Sequence, residues 1–299
     1  MGSDIYNFLI WSHAIGKSVM NEQKYEKKTK LSGCNMRKNK VLAKLRKGEC
    51  VIIPETGHFA SHKLLEMIGL IGFDGVWIDM EHKDLELSQL GPLTLACRAT
   101  DMESIVRIAA GNYTNIIRPL EAGATGLVIP HCKSAEQARQ IVHDSRFSPL
   151  GCRGFDGVAA DAKFRTVSID DYRKWASEEV LIGVMIEDKE AIDNIDEIAA
   201  VEGIDVLYFG PGDLSQTYGC FLDFDNKLMT DAIDKIAIAA EKHNRFWGGP
   251  LMNVEHFHNT RAKGASFFTH DADLFILKRG FDNLKEEYKQ LLGNDKKST

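Results

Sequence analysis

Eight short runs of aliphatic and β-branched residues punctuate this 299-residue chain: CVIIPET, DGVWIDME, SIVRIAA, TGLVIPH, LIGVMIE, DVLYFGP, FWGGPLM and ASFFTH. Each is apolar at nearly every position rather than at alternate ones, and each precedes a stretch whose apolar residues recur at helical spacing. Strands buried on both faces and separated by helices predict a parallel sheet with helices on its outer side. Eight such units within roughly the length of one α/β barrel predict closure into a single-domain (β/α)8 TIM barrel.

The start of the chain lies outside this repeat. Residues 1 to 35 are apolar at first and then lysine-rich (Lys24, Lys27, Lys28, Lys30), with neither alternation nor a helical stripe, and read as an N-terminal extension. From Met36 onward Val41, Leu42 and Leu45 recur at helical spacing, so a helix opens the barrel domain, residues 36–299. The longest interruption of the repeat, residues 147–166, is glycine-rich and reads as a functional loop.

Composition excludes several classes. With 44% hydrophobic and 27% charged residues the chain has enough apolar side chains for a large core, which argues against disorder. A net charge of -6 offers no broad attraction for phosphate backbones, so no nucleic-acid partner is expected. No apolar run reaches the roughly 20 residues of a spanning helix, and no membrane partner is expected. Six cysteines without a CxxC pair form neither a zinc framework nor a disulfide scaffold, which points to a reducing, cytoplasmic setting.

In a barrel the C-terminal ends of the strands line the active site, so polar residues that end a run become candidates. The second run ends in Asp79, Glu81 and His82. A carboxylate beside an imidazole orients it and suits it to act as a base, unless His82 only caps the next helix. Arg107 ends the otherwise apolar third run, where a guanidinium needs an anion: a substrate carboxylate or enolate, or a structural acid. Glu187 and Asp213 end the fifth and sixth runs. Two carboxylates at adjacent strand tips can share one hard cation and leave coordination positions for substrate. Taken singly, Glu187 could instead face a helix dipole and Asp213 cap a turn. His131, after TGLVIP, also sits at a strand end. The glycines of FGPGDLS, Gly212 among them, permit a tight turn and close backbone approach.

Together, IDMEH, VRIA, EAGATGLVIPHCKSAEQAR, SPLGCRG and MIEDKEAIDNIDEIAAVEGIDVLYFGPGDLS resemble the HpcH/HpaI family of class II pyruvate aldolases, which includes 4-hydroxy-2-oxoheptanedioate aldolase. The likeness runs in order over residues 36 to 290 or so. It implies cleavage or formation of a 4-hydroxy-2-oxo acid, giving pyruvate and an aldehyde, by way of an enolate stabilised by magnesium, manganese or cobalt. It implies Glu187 and Asp213 as metal ligands, Arg107 as the residue that holds pyruvate, and His82 with Asp79 as a base dyad. Gly212 and Met185 then border the substrate. It also implies a homo-oligomer, a hexamer or trimer. The chain departs from the pattern at Met185, where relatives carry Gln, at Ile108 to Asn112, and in the loops PETGHFAS and GGPLMN. These departures bear on substrate identity. They leave room for a related oxo-acid decarboxylase, a citramalyl-CoA or malyl-CoA lyase, or a barrel that binds a metabolite without turnover.

Overall fold

A computed structural model describes residues 36–108 and 111–295; the expected N-terminal extension, Cys34, and Ala109 and Ala110 of the departing stretch lie outside the described residues. The order of elements is α1 (Lys40–Arg46), β1 (Val51–Thr56), α2 (His62–Ile71), β2 (Gly75–Asp79), α3 (Leu87–Ala99), β3 (Glu103–Arg107), α4 (Tyr113–Glu121), β4 (Gly126–Ile129) and α5 (Ala135–Ser145). It continues with α6 (Ile169–Glu178), β5 (Leu181–Ile186), α7 (Lys189–Asp193), α8 (Ile195–Ala199), β6 (Val206–Phe209), α9 (Pro211–Thr217), α10 (Lys227–Lys242), β7 (Phe246–Pro250), α11 (Val254–Ala262), β8 (Phe267–Ala272) and α12 (Asp273–Asp295). All eight expected runs are strands. They pair in parallel in sequence order and close through β1 and β8, as the continuous apolar patterning requires.

Two apolar layers follow from the alternation of each strand. Residues pointing inward, among them Ile53, Trp77, Ile105, Val128, Met185, Tyr208 and Phe267, fill the barrel. Outward residues such as Val76, Ile78, Val106, Leu127, Val184 and Leu207 pack beneath the helices. The opening helix begins at Lys40 rather than Met36, because the Asn39 side chain accepts the Leu42 N–H and caps it. Its Val41, Leu42 and Leu45 join the inner layer and close the end of the barrel from which the strands start.

The glycine-rich segment that follows α5 is built around a buried ion pair: Arg153 donates to Asp161, which also accepts from the Tyr172 hydroxyl of α6. Its Gly154 N–H is held by Tyr113 of α4 at 2.6 Å. Among the described residues no helix is long and apolar enough to cross a membrane.

Candidate active site

Asp79 and Arg107 face each other across β2 and β3 as register partners. The guanidinium grips the carboxylate as a fork, Nε to Oδ1 at 2.9 Å and Nη2 to Oδ2 at 2.7 Å. Its Nη1 lies 3.4 Å from Glu81 Oε2, and its Cζ lies over the Trp77 ring, 5.8 Å from the ring centroid. Burial alone would raise the Asp79 carboxyl, but Arg107 and the backbone N–H groups of Glu81 and His82 outweigh it and hold it below the ordinary carboxylate range. Burial opposes the Arg107 charge as well, and Asp79 and Glu81 more than restore it. The contacts of the pair thus favour the charged form of both groups.

His82 lies three residues beyond the end of β2. Asp79 reaches its backbone N–H at 3.4 Å and not its ring. The carboxylate nearest the imidazole is Glu81, 3.7 Å from Nε2, and the His82 side chain is 56% exposed. Asp79 is committed to Arg107, so the expected Asp79–His82 dyad meets only through the backbone.

Glu187 follows β5 directly and is 2% exposed. Its Oε1 accepts the His131 N–H at 2.7 Å. His131 supplies that donor from a left-handed conformation, φ 55°, which costs a branched-free but non-glycine residue about 1 kcal/mol. The other carboxylate oxygen rests against Gly210, the residue after β6. A Cβ there would stand 2.6 Å from Glu187 Cβ and 2.7 Å from Oε2, so this position admits only glycine. Burial, reinforced by the charges of Glu81 and Asp213, pushes the Glu187 carboxyl up to about 7 despite the His131 contact. The imidazole of His131 lies 3.1 Å from Asp188 and 3.5 Å from Glu187. Burial would lower its pKa, but those carboxylates and Glu81 hold it above the ordinary histidine value.

Asp213 sits in the first turn of α9, and its carboxylate makes no hydrogen bond or ion pair among the described residues. Met185 is packed inside the barrel, its Cε below Gly210. Gly212 is open, with nothing within 4 Å of an added Cβ. Among the described residues no three His, Cys, Asp or Glu side chains form a ready-made metal cage. The donor chemistry nevertheless fits a hard divalent ion held by two carboxylates and completed by substrate and water. Glu187 is desolvated beside two further acids, and the cationic group in contact with it among the described residues is the partly exposed imidazole of His131.

Two residues take a larger part in the site than the sequence predicts. Glu81, expected only as a neighbour at the tip of the second run, brings its carboxylate to Arg107, His82 and His131 and is felt by Glu187. Glu55, at the end of β1, enters the inner layer through a hydrogen bond from Thr269 of β8, whose hydroxyl also meets Tyr208 of β6 at 2.7 Å. The signal for Glu55 was present, since it ends an apolar run as the other candidates do.

The profile of the HpcH/HpaI aldolase/citrate lyase family matches residues 58–278. A 2-dehydro-3,6-dideoxy-6-sulfogluconate aldolase of Pseudomonas putida is 38% identical over 160 residues, 54% of this chain and 62% of the relative, so that match spans less than two thirds of the relative's length. A 5-keto-4-deoxy-D-glucarate aldolase of Klebsiella pneumoniae is 30% identical over 75% of this chain and 87% of its own. Among solved structures, an HpcH/HpaI aldolase/citrate lyase family protein from Burkholderia cenocepacia superposes with a TM-score of 0.77 at 26% identity, covering 84% of this chain and 99% of that one.

Proposed function

The chain belongs to the HpcH/HpaI aldolase/citrate lyase family, and from that premise we propose that it is a class II aldolase that cleaves, or forms, a 4-hydroxy-2-oxo acid from pyruvate and an aldehyde. One observation carries this reading: a buried, cation-poor carboxylate, Glu187, faces the same barrel mouth as an ionised, partly open guanidinium, Arg107.

Glu187 and Asp213 are the residues that would hold a divalent cation, magnesium, manganese or cobalt. When bound, that ion supplies Lewis acidity, drawing negative charge from the 2-oxo acid. Arg107, braced by Asp79, binds the carboxylate or keto oxygen of the substrate and meets the charge that develops as pyruvate leaves as its enolate. The hydroxyl at C4 must lose a proton for the carbon–carbon bond to break, and the exposed imidazole of His82 takes it. Because Asp79 is engaged with Arg107, Glu81 is the carboxylate that supports the charged imidazole. Gly212 lets substrate approach the α9 backbone, and Met185 forms an apolar floor where a Gln amide would offer a polar contact.

The same reading extends to assembly and setting. Helix α12 leaves Phe275, Ile276, Phe281, Tyr288 and Leu291 exposed, an apolar face that supports a homo-oligomer, a hexamer or trimer. Residues 1–35 are an extension appended to the barrel domain, 36–299. The five described cysteines are all free, in keeping with the cytoplasm.

The test is release of pyruvate from a panel of 4-hydroxy-2-oxo acids in the presence of manganese. Release is expected to stop on chelation, to return with metal, and to be lost in Glu187→Gln. Undiminished release from chelated protein and from that variant refutes the proposal.

A further inference from the structure

Glu55 is an acid inside the barrel mouth that the proposed reaction does not use. It is the penultimate residue of β1, two residues after the interior Ile53, and is in register with Trp77 of β2 and with Ala272 of β8, where the β1–β8 pairing shifts register. A register shift at a strand end beside a site re-aims the side chain there. Thr269 donates to Oε1 of Glu55, and no hydrogen bond among the described residues reaches Oε2. The strand end is fixed from outside: Asp273 accepts from the Thr56 hydroxyl at 2.9 Å and from the N–H groups of Gly57 and Phe59 at 3.0 and 2.8 Å.

The charged neighbours of Glu55 are Asp79 and Lys83 from the β2 side and Arg107 from β3, with the Tyr208 phenol beneath. Lys83 Nζ lies 3.6 Å from Asp79, and its stem lies so close to Gly57 that an added Cβ would stand 2.5 Å from Lys83 Cγ. In the ring of eight strands, β1 and β2 stand opposite β5 and β6. A 2-oxo acid held at Glu187, Asp213 and Arg107 therefore extends its remaining carbons across the mouth toward Glu55 and Lys83. That wall presents one anchored acceptor and one ammonium donor with nearly balanced charge, an arrangement that matches neutral hydroxyl groups better than a second carboxylate or an alkyl chain. Burial holds the Glu55 carboxyl above the ordinary range, with Thr269, Arg107 and Lys83 pulling it back, so the site gains when a hydroxyl donor arrives.

We propose that Glu55 is a specificity-determining residue that accepts a hydrogen bond from a hydroxyl of the aldehyde-derived half, so that this enzyme prefers hydroxylated aldehydes. The inference rests on the aldolase reading above. It is tested in the condensation direction with manganese-loaded wild type, Glu55→Ala and Glu55→Gln, using pyruvate with glyceraldehyde or with propanal, and following exchange of the pyruvate methyl protons with deuterium in parallel. Wild type is expected to favour glyceraldehyde by at least about tenfold in kcat/KM, since a site built to bond a hydroxyl discriminates against its absence. Glu55→Ala is expected to lower that ratio about tenfold while pyruvate exchange stays within about threefold, and Glu55→Gln, which keeps an acceptor oxygen, is expected to retain more of it. An unchanged ratio in Glu55→Ala overturns the inference. So does wild type without a preference, wild type that exchanges pyruvate but joins neither aldehyde, or an equal loss of both aldehydes and exchange. Wild type that neither exchanges nor condenses overturns the aldolase reading, and this inference with it.

Discussion

The two ends of the barrel treat buried charge in opposite ways. At the end closed by α1, each buried acid has its partner. Glu103, 1% exposed, accepts from Arg37 and from the Lys40 N–H, and Glu179 accepts from Arg46 and the Asn39 N–H; the half-buried Asp205 accepts from the buried Arg146 at 2.7 Å. At the open end Asp79 is matched by Arg107, but Glu187, equally buried, lies among other acids with the partly exposed His131 imidazole against it, and Asp213 has no counterion among the described residues. Compensated charge at one end fixes the domain; uncompensated charge at the other waits for a ligand. The same scaffold thus separates stability from function along its axis.

Substitutions should divide along that axis. The largest effect is expected for Glu187→Gln: loss of activity by about a thousandfold, the scale of removing a preorganised charge contact, with no loss of thermal stability because a carboxylate buried among other acids is neutralised while an acceptor oxygen for the His131 N–H is kept. Steady-state pyruvate release and a melting curve on one preparation check both halves. Next comes Arg107→Lys, which keeps the charge but not the fork on Asp79; a fall of about a hundredfold in kcat/KM is expected, with folding intact. At the closed end the pattern reverses. Arg37→Ala strips Glu103 of its cation and is expected to cost roughly 2 kcal/mol in denaturant unfolding, discounted for the partial exposure of Arg37, while kcat is unchanged.

The smallest effect belongs to Asp273→Asn, about 1 kcal/mol, since the amide oxygen keeps an acceptor but not the charge. Burial would raise the Asp273 carboxyl, but the N–H groups of Gly57 and Phe59, the Thr56 hydroxyl and the Leu274 N–H hold it below the ordinary value. Its folded pKa is depressed, so its contribution is complete above the unfolded value, about 4, and is lost as pH falls below it. Acid unfolding should therefore show a shallower loss in Asp273→Asn than in wild type.

How legible each end was follows from the range of its interactions. The strands were visible because eight runs such as LIGVMIE and DVLYFGP are apolar on both faces, and α1 was visible from Val41, Leu42 and Leu45. Its start at Lys40 depended on a cap that spacing does not reveal. At the mouth, the strand-end rule located Asp79, Arg107, Glu187 and Asp213, since it needs only the end of each run. It could not tell who pairs with whom. Asp79 bonds Arg107 rather than the His82 ring because β2 and β3 are in register, 28 residues apart in sequence. Glu55 meets Thr269 across 214 residues, and the close seat of Glu187 against Gly210 depends on backbone geometry that a motif only permits.

The most direct measurement is a calorimetric titration of the chelated protein with manganese, in wild type, Glu187→Gln and Asp213→Asn. One ion per chain is expected in wild type, with affinity weakened at least about a hundredfold in either variant. Binding of equal strength and stoichiometry in all three proteins would contradict the claim that these two carboxylates hold a common cation.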